Sequence, residues 1–259
     1  MKNFLTIIGL MALIVSAIPN LGMATTVTTS DLSGAYGGYS DNGSISPGPN
    51  TLYGTYLSGV EFGGDSQKLI SPSDPVNFAT VGGNNFVTWC VDIYHYDSTT
   101  STYTVETAAN LGTATDGGNP AFGTSRVNAL MQLANEDYSL VNNGNTSAAF
   151  QLAVWAIMFG TPTRGIYQVD SSTFEATDST SGSTAIALAD SWLTNINSNS
   201  VTGNYTLTYL SDTGQTDVND TQNMVVFTPS PVPEPGTILL LGVGLMGIAI
   251  ARSRKNRNP

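Results

Sequence analysis

Two apolar ends enclose an acidic, polar middle in this 259-residue chain, and that division limits what it can become. Lys2 is followed by a largely apolar run from Phe4 to Ile18 and by Gly22-Met23-Ala24. This is the order of a secretory signal: a positive start, a short apolar core and a small-x-small cleavage site. Residues 1–24 are therefore expected to be removed, leaving a mature chain that starts near Thr25. The other end carries an apolar stretch over 237–251 and then a tail, 252–259, containing Arg252, Arg254, Lys255 and Arg257. Such a stretch predicts a short C-terminal transmembrane helix with its basic tail held on the cytoplasmic side. Gly236, Gly242, Gly244 and Gly247 would let it pack closely against another helix. The body between the two ends would then lie outside the inner membrane.

Charge follows the same division. Of eight Lys and Arg, only Lys68, Arg126 and Arg164 lie in the body, whereas all nineteen Asp and Glu fall between Asp31 and Glu234. The body thus carries a charge near −16, which repels phosphate and excludes nucleic acid as a partner. Cys90 is the only cysteine, so no intramolecular disulfide can form, although an exported chain could support one.

The body is long enough for one domain with a sizeable core. Residues 25–50 are rich in Gly, Ser, Thr and Asn and are expected to be partly ordered at best. The segment 51–230 reads as the ectodomain. Alternating and β-branched runs predict strands at Thr51–Val60, Phe86–Tyr96, Thr102–Ala108, Tyr205–Leu210 and Met224–Phe227. Helical spacing marks Val127-Leu130-Met131-Ala134, Ala148–Phe159 (with Ser147 as its cap and Gly160 and Pro162 ending it) and Ile186-Ala189-Trp192-Leu193-Ile196. The order strands, helices, strands predicts an α+β fold: a β-sandwich or barrel with an inserted helical segment.

At the C-terminus, Val232-Pro233-Glu234-Pro235, the short Leu/Gly-rich stretch and the basic tail together resemble a PEP-CTERM sorting signal covering 231–259. The resemblance implies that an exosortase, a membrane-embedded processing enzyme, reads Pro233, Glu234 and Pro235. It further implies a transient stay in the inner membrane and delivery to the cell surface or to an exopolysaccharide-containing matrix.

Within the body, Phe150-Gln151-Leu152-Ala153-Val154-Trp155 resembles the hydrophobic-Gln-x-Ala-hydrophobic-Trp motif of bacterial surface thioester domains. Trp89-Cys90-Val91-Asp92 is similar to their aromatic-Cys-hydrophobic segment, with Trp where Tyr or Phe is commoner. The resemblance implies that Cys90 and Gln151 join with loss of ammonia into an internal thioester, an electrophile that couples the protein to surface amines. A thiolate attacks carbonyls well, but an amide reacts poorly, so the fold must hold the two groups together and keep water out. Trp89, Phe150 and Trp155 are the candidates for that shielding. Two plainer readings stand beside this one: a single cysteine is commonly a small buried apolar residue, and Gln151 would be an ordinary surface residue of an amphipathic helix.

Other chemistry is poorly served, and the chain is not expected to be an enzyme. His95 is the only histidine. On a strand running to Tyr96, its odd offset from Cys90 would put the two on opposite faces, with His95 partly exposed, so no Cys/His dyad is expected. One Cys and one His make a poor zinc set, and no metal or cofactor is expected. Asp212, Asp217, Asn219 and Asp220 offer oxygen ligands but lack the spacing of a calcium loop, and read as a solvated turn. Two partners remain open for the body: an amine-bearing surface target or, for a non-reactive structural protein, matrix exopolysaccharide.

Overall fold

A computed structural model of the chain describes residues 26–36, 41–46, 57–71, 85–95, 100–115, 121–171, 173–196, 203–212, 221–230 and 246. Six strands close into an antiparallel barrel: β1 (Thr26–Gly34), β4 (Asp65–Ser71), β5 (Asn85–Cys90), β9 (Met224–Pro229), β8 (Tyr205–Asp212) and β6 (Thr100–Thr107), in that spatial order. A second sheet places β2 (Asp41–Ser46) between β3 (Leu57–Phe62) and β7 (Glu175–Asp178). Four α-helices lie between β6 and β8 in sequence: α1 (Ala108–Thr113), α2 (Thr124–Asp137), α3 (Gly144–Phe159) and α4 (Ala185–Leu193). The architecture is therefore α+β, and of the two β forms the sequence allowed, the barrel is the one found.

Several boundaries differ from the sequence reading. The Gly/Ser/Thr-rich segment supplies β1 and β2, and β1 pairs with both β4 and β6. Small β-branched threonines at Thr26, Thr28 and Thr29 suit a strand, so a polar composition conceals an ordered element. Strand β5 stops at Cys90, six residues before the expected end, because the chain bends at Ile93-Tyr94-His95. The expected transmembrane helix and basic tail fall outside the described residues, apart from Met246. Among the described residues no helix is long and apolar enough to cross a membrane.

Helix α3 is the axis of the domain. Every residue from Ser147 to Phe159 is buried, so the helix is apolar on all sides and sits inside the core rather than on its surface. Its N-terminus is fixed by a reciprocal cap: Asn143 Oδ1 accepts from Thr146 N, and Thr146 Oγ1 accepts from Asn143 N. The cap lies four residues before Ser147, where the sequence placed it. At the other end Arg126 Nη1 donates to Ile157 O and, at 2.8 Å, to Gly160 O. A cation thus meets carbonyls the helix leaves unpaired.

The strand faces divide the core. Val87 and Trp89 of β5, with Val225 and Phe227 of β9, pack toward the helices. Phe86 joins Val27, Tyr103, Leu210, Met224 and Val226 in a separate cluster drawn wholly from barrel strands. Alternation along a strand accounts for this split.

Candidate functional site: Cys90 and Gln151

The site lies where the barrel wall is incomplete. On one side of β5, Cys90 pairs in register with Met224, and Val91 N donates to Asn223 O at 3.0 Å. On the other side the β4–β5 register ends at Asp65↔Thr88. The main-chain N–H and C=O of Cys90 point toward that vacated side, and buried backbone groups need partners.

Helix α3 supplies them. Gln151 Oε1 accepts from Cys90 N at 3.0 Å, and Gln151 Nε2 donates to Cys90 O at 2.8 Å. The side-chain amide thus replaces a strand residue and extends the ladder by one rung. One helical turn earlier, Ser147 Oγ accepts from Gly64 N at 2.9 Å, at the turn where β4 begins. Ser147 and Gln151, spaced i and i+4, share one helix face and close the gap between β4 and β5.

Packing holds this register. The ring of Trp89 lies 4.5 Å from that of Phe150 and 5.9 Å, edge-on, from Tyr138; Phe150 also meets Trp192 and Phe227. A Cβ on Gly64 would come within 2.7 Å of the Trp89 ring, so only glycine fits beneath it. Burial raises the Tyr138 phenol above its ordinary range, with Tyr36 beside it adding to the effect. Trp155, four residues beyond Gln151, meets Phe62 edge-on with centroids 6.1 Å apart. By strand alternation Trp89 faces away from the Cys90 side chain. Trp89 and Phe150 therefore fix where Gln151 sits, a different task from covering the sulfur.

The plain reading of Gln151 as a surface residue is overturned: it is 0% exposed, on a helix with no polar face. Cys90 is 8% exposed. Its Sγ donates to Asp92 O at 2.7 Å and accepts from Asp92 N at 3.3 Å. Asp92, 0% exposed, is anchored in turn: Oδ1 accepts from Tyr94 N at 3.0 Å, and Oδ2 meets His95 Nδ1 at 2.6 Å. The same Oδ2 accepts from Asn223 N and Nδ2 at 3.3 and 3.4 Å.

His95 is thus buried, at 6% exposure, and not the partly exposed strand residue expected. The face argument lapses because β5 ends before it. The Asp92 main chain as the partner of the sulfur, and His95 as the partner of the Asp92 carboxylate, were missed. A charged residue two positions after Cys90 in an otherwise mostly apolar run was the only signal for them. Of the proposed turn, Asp212 closes β8 and accepts from Thr221 N at 3.1 Å. Asp217, Asn219 and Asp220 lie outside the described residues.

Fold and site define an α+β barrel domain in which a buried helix presses a glutamine amide onto the main chain of the single cysteine. Residues 231–255, which contain Pro233, Glu234 and Pro235, match the PEP-CTERM protein-sorting motif. The motif suggests an exported protein processed by exosortase and implies a membrane-anchored precursor. No curated protein matches the chain. Neither result supports the resemblance to thioester domains, so any function of the body has to be read from its geometry.

Proposed function

We propose that the body is a surface adhesion module whose Cys90 and Gln151 form an internal thioester, displayed after exosortase processing. One observation carries the reading: the Gln151 amide is buried and clamped at both ends on the residue that bears the thiol. Attack of Cys90 Sγ on Gln151 Cδ makes the S–C bond. The C–N bond breaks, and the thiol proton leaves with the nitrogen as ammonia. The N–H of Cys90, already 3.0 Å from Oε1, would stabilise the oxyanion of the tetrahedral intermediate. Burial excludes the water that would hydrolyse the product.

Intact mass of the freshly purified, exported chain is the test. The expected mass is lower than the sequence mass of the processed chain by one ammonia, with the loss mapped to the linked Cys90 and Gln151 peptides. Cys90→Ala and Gln151→Ala should each restore the unmodified mass and abolish covalent capture of amines. A wild-type mass equal to the sequence mass, with Cys90 alkylated at once on denaturation, rejects the thioester.

A second reading has its own support. Both polar ends of the Gln151 amide are already satisfied, so the residue is accounted for as a structural rung alone. On that reading the protein is a non-reactive component of an exopolysaccharide matrix, sorted by the same route. The mass measurement separates the two, and retention on matrix polysaccharide by Cys90→Ala protein would support the second.

A further inference from the structure

The barrel runs almost directly into the sorting motif. Strand β9 ends at Pro229, which pairs with Tyr205, and Ser230 N donates to Asn204 O at 2.6 Å. The matched motif begins at residue 231, and Pro233 stands three residues beyond Ser230. Fully extended, three residues span about 10 Å. Six strands spaced about 4.8 Å apart form a ring on the order of 12 Å across before side chains are added. The folded end is therefore wider than the tether is long.

The anchor of that tether is held firmly. Strand β9 is paired on both sides, to β5 and to β8. The stretch from Gly203 to Tyr205, beside Ser230, is seated on α2. Tyr205 N donates to Asn135 Oδ1 at 3.0 Å, and a Cβ on Gly203 would come within 1.9 Å of the Asn135 side chain. The Tyr205 ring meets that of Tyr138 edge-on, with centroids 5.2 Å apart. An enzyme that reads Pro233, Glu234 and Pro235 has to enclose main chain on both sides of them, and the domain blocks the upstream side. The geometry points to a checkpoint: the end of β9 has to come away from Asn204 and Tyr205 before the membrane-embedded exosortase can seat the motif, so the finished barrel slows its own processing. Releasing Thr228, Pro229 and Ser230 doubles the tether, and strand ends are where a fold opens most readily. The inference rests on the sorting motif and is independent of the thioester.

The full chain is expressed in a bacterium that carries an exosortase, and conversion of precursor to processed chain is followed by pulse labelling. A second chain carries about eight Gly and Ser residues between Ser230 and Pro231, adding about 15 Å of flexible reach. It should be processed faster by about fivefold or more, the factor that one ordinary hydrogen bond holds back. Ser230→Pro removes the donor to Asn204 O. It should speed the native chain by about twofold or more and leave the linker chain unchanged. Equal rates with and without the linker overturn the inference. Slower processing with the linker also overturns it, because the exosortase would then use the barrel end as a docking surface. So does Ser230→Pro acting alike in both chains, since the enzyme would then sense the residue directly. A chain that stays at precursor size with or without the linker, beside a processed control substrate, removes exosortase processing and this inference with it, while leaving the thioester untouched.

Discussion

The two faces of β5 do different work. Toward the helices stand Val87 and Trp89, and Trp89 is fully buried against Phe150 and Tyr138 with Gly64 beneath it. Toward the barrel interior stand Phe86 and Thr88, and across the barrel Thr29 shares the face of Val27. The hydroxyls of Thr29 and Thr88 are buried with no hydrogen-bond partner in the structure. The helix side also buries indole N–H groups with no hydrogen-bond partner, those of Trp89 and Trp155, but there aromatic rings meet at defined angles. The position of Gln151 is therefore set from the helix side, and the interior chiefly completes the wall.

Trp89→Ala should show this most strongly. Removing a fully buried indole from a packed cluster costs about 3–5 kcal/mol, read as a lowered urea midpoint. The helix would also lose its register, so the proposed ammonia loss should fail even in protein that remains folded. A small cost for this change would erase the contrast between the two faces.

Gln151→Leu comes next. It keeps the volume but strands both the N–H and the C=O of Cys90, for about 2–4 kcal/mol. Gln151→Glu separates the two bonds. Its carboxylate can still accept from Cys90 N but opposes Cys90 O, whereas the protonated acid can donate to it. The folded form thus favours the proton, and the carboxyl is raised above its unfolded value. Stability should match wild type below about pH 4, and fall as pH rises from the unfolded toward the folded value. Urea midpoints of the two proteins measured across that range check the sign. Parallel curves would mean that Cys90 O does not feel the side chain.

The same residues show how far the sequence reaches. Alternation and helical spacing located β6, β8, β9 and the three longer helices, because their buried positions recur at regular intervals. The pairing of Cys90 with Gln151 was legible through motif order alone. What the sequence concealed is the gap in the wall: nothing local says that β4 leaves β5 at Thr88, so the need for a side-chain rung was invisible. His95 was misread for a related reason, since the bend at residues 93–95 comes from Asp92 gathering its partners in three dimensions. Strands β1 and β2 were hidden by composition, their threonines and serines reading equally well as loop.

Asp137 lies where the helix side meets solvent. Burial lifts its carboxyl to about 6, and Glu136 beside it adds to the rise. A carboxylic acid raised in the folded state favours the proton there. Its contribution is therefore intact below the unfolded value of 3.8 and is lost as pH climbs through about 6. Asp137→Asn should flatten stability over that window and raise the melting temperature at neutral pH. An unchanged pH slope would place the carboxyl in water.

Thr88→Val should have the smallest effect, and its sign is the informative part. The swap keeps the branched shape and removes a buried hydroxyl that has no partner. Replacing an unpaired polar group by a methyl relieves a desolvation penalty, so stability should hold or rise by up to about 1 kcal/mol. A loss well above that size would show that the Thr88 hydroxyl is held inside the barrel, by a water or by a rearranged neighbour such as Asp65 across the ladder. The interior would then be a polar network in its own right.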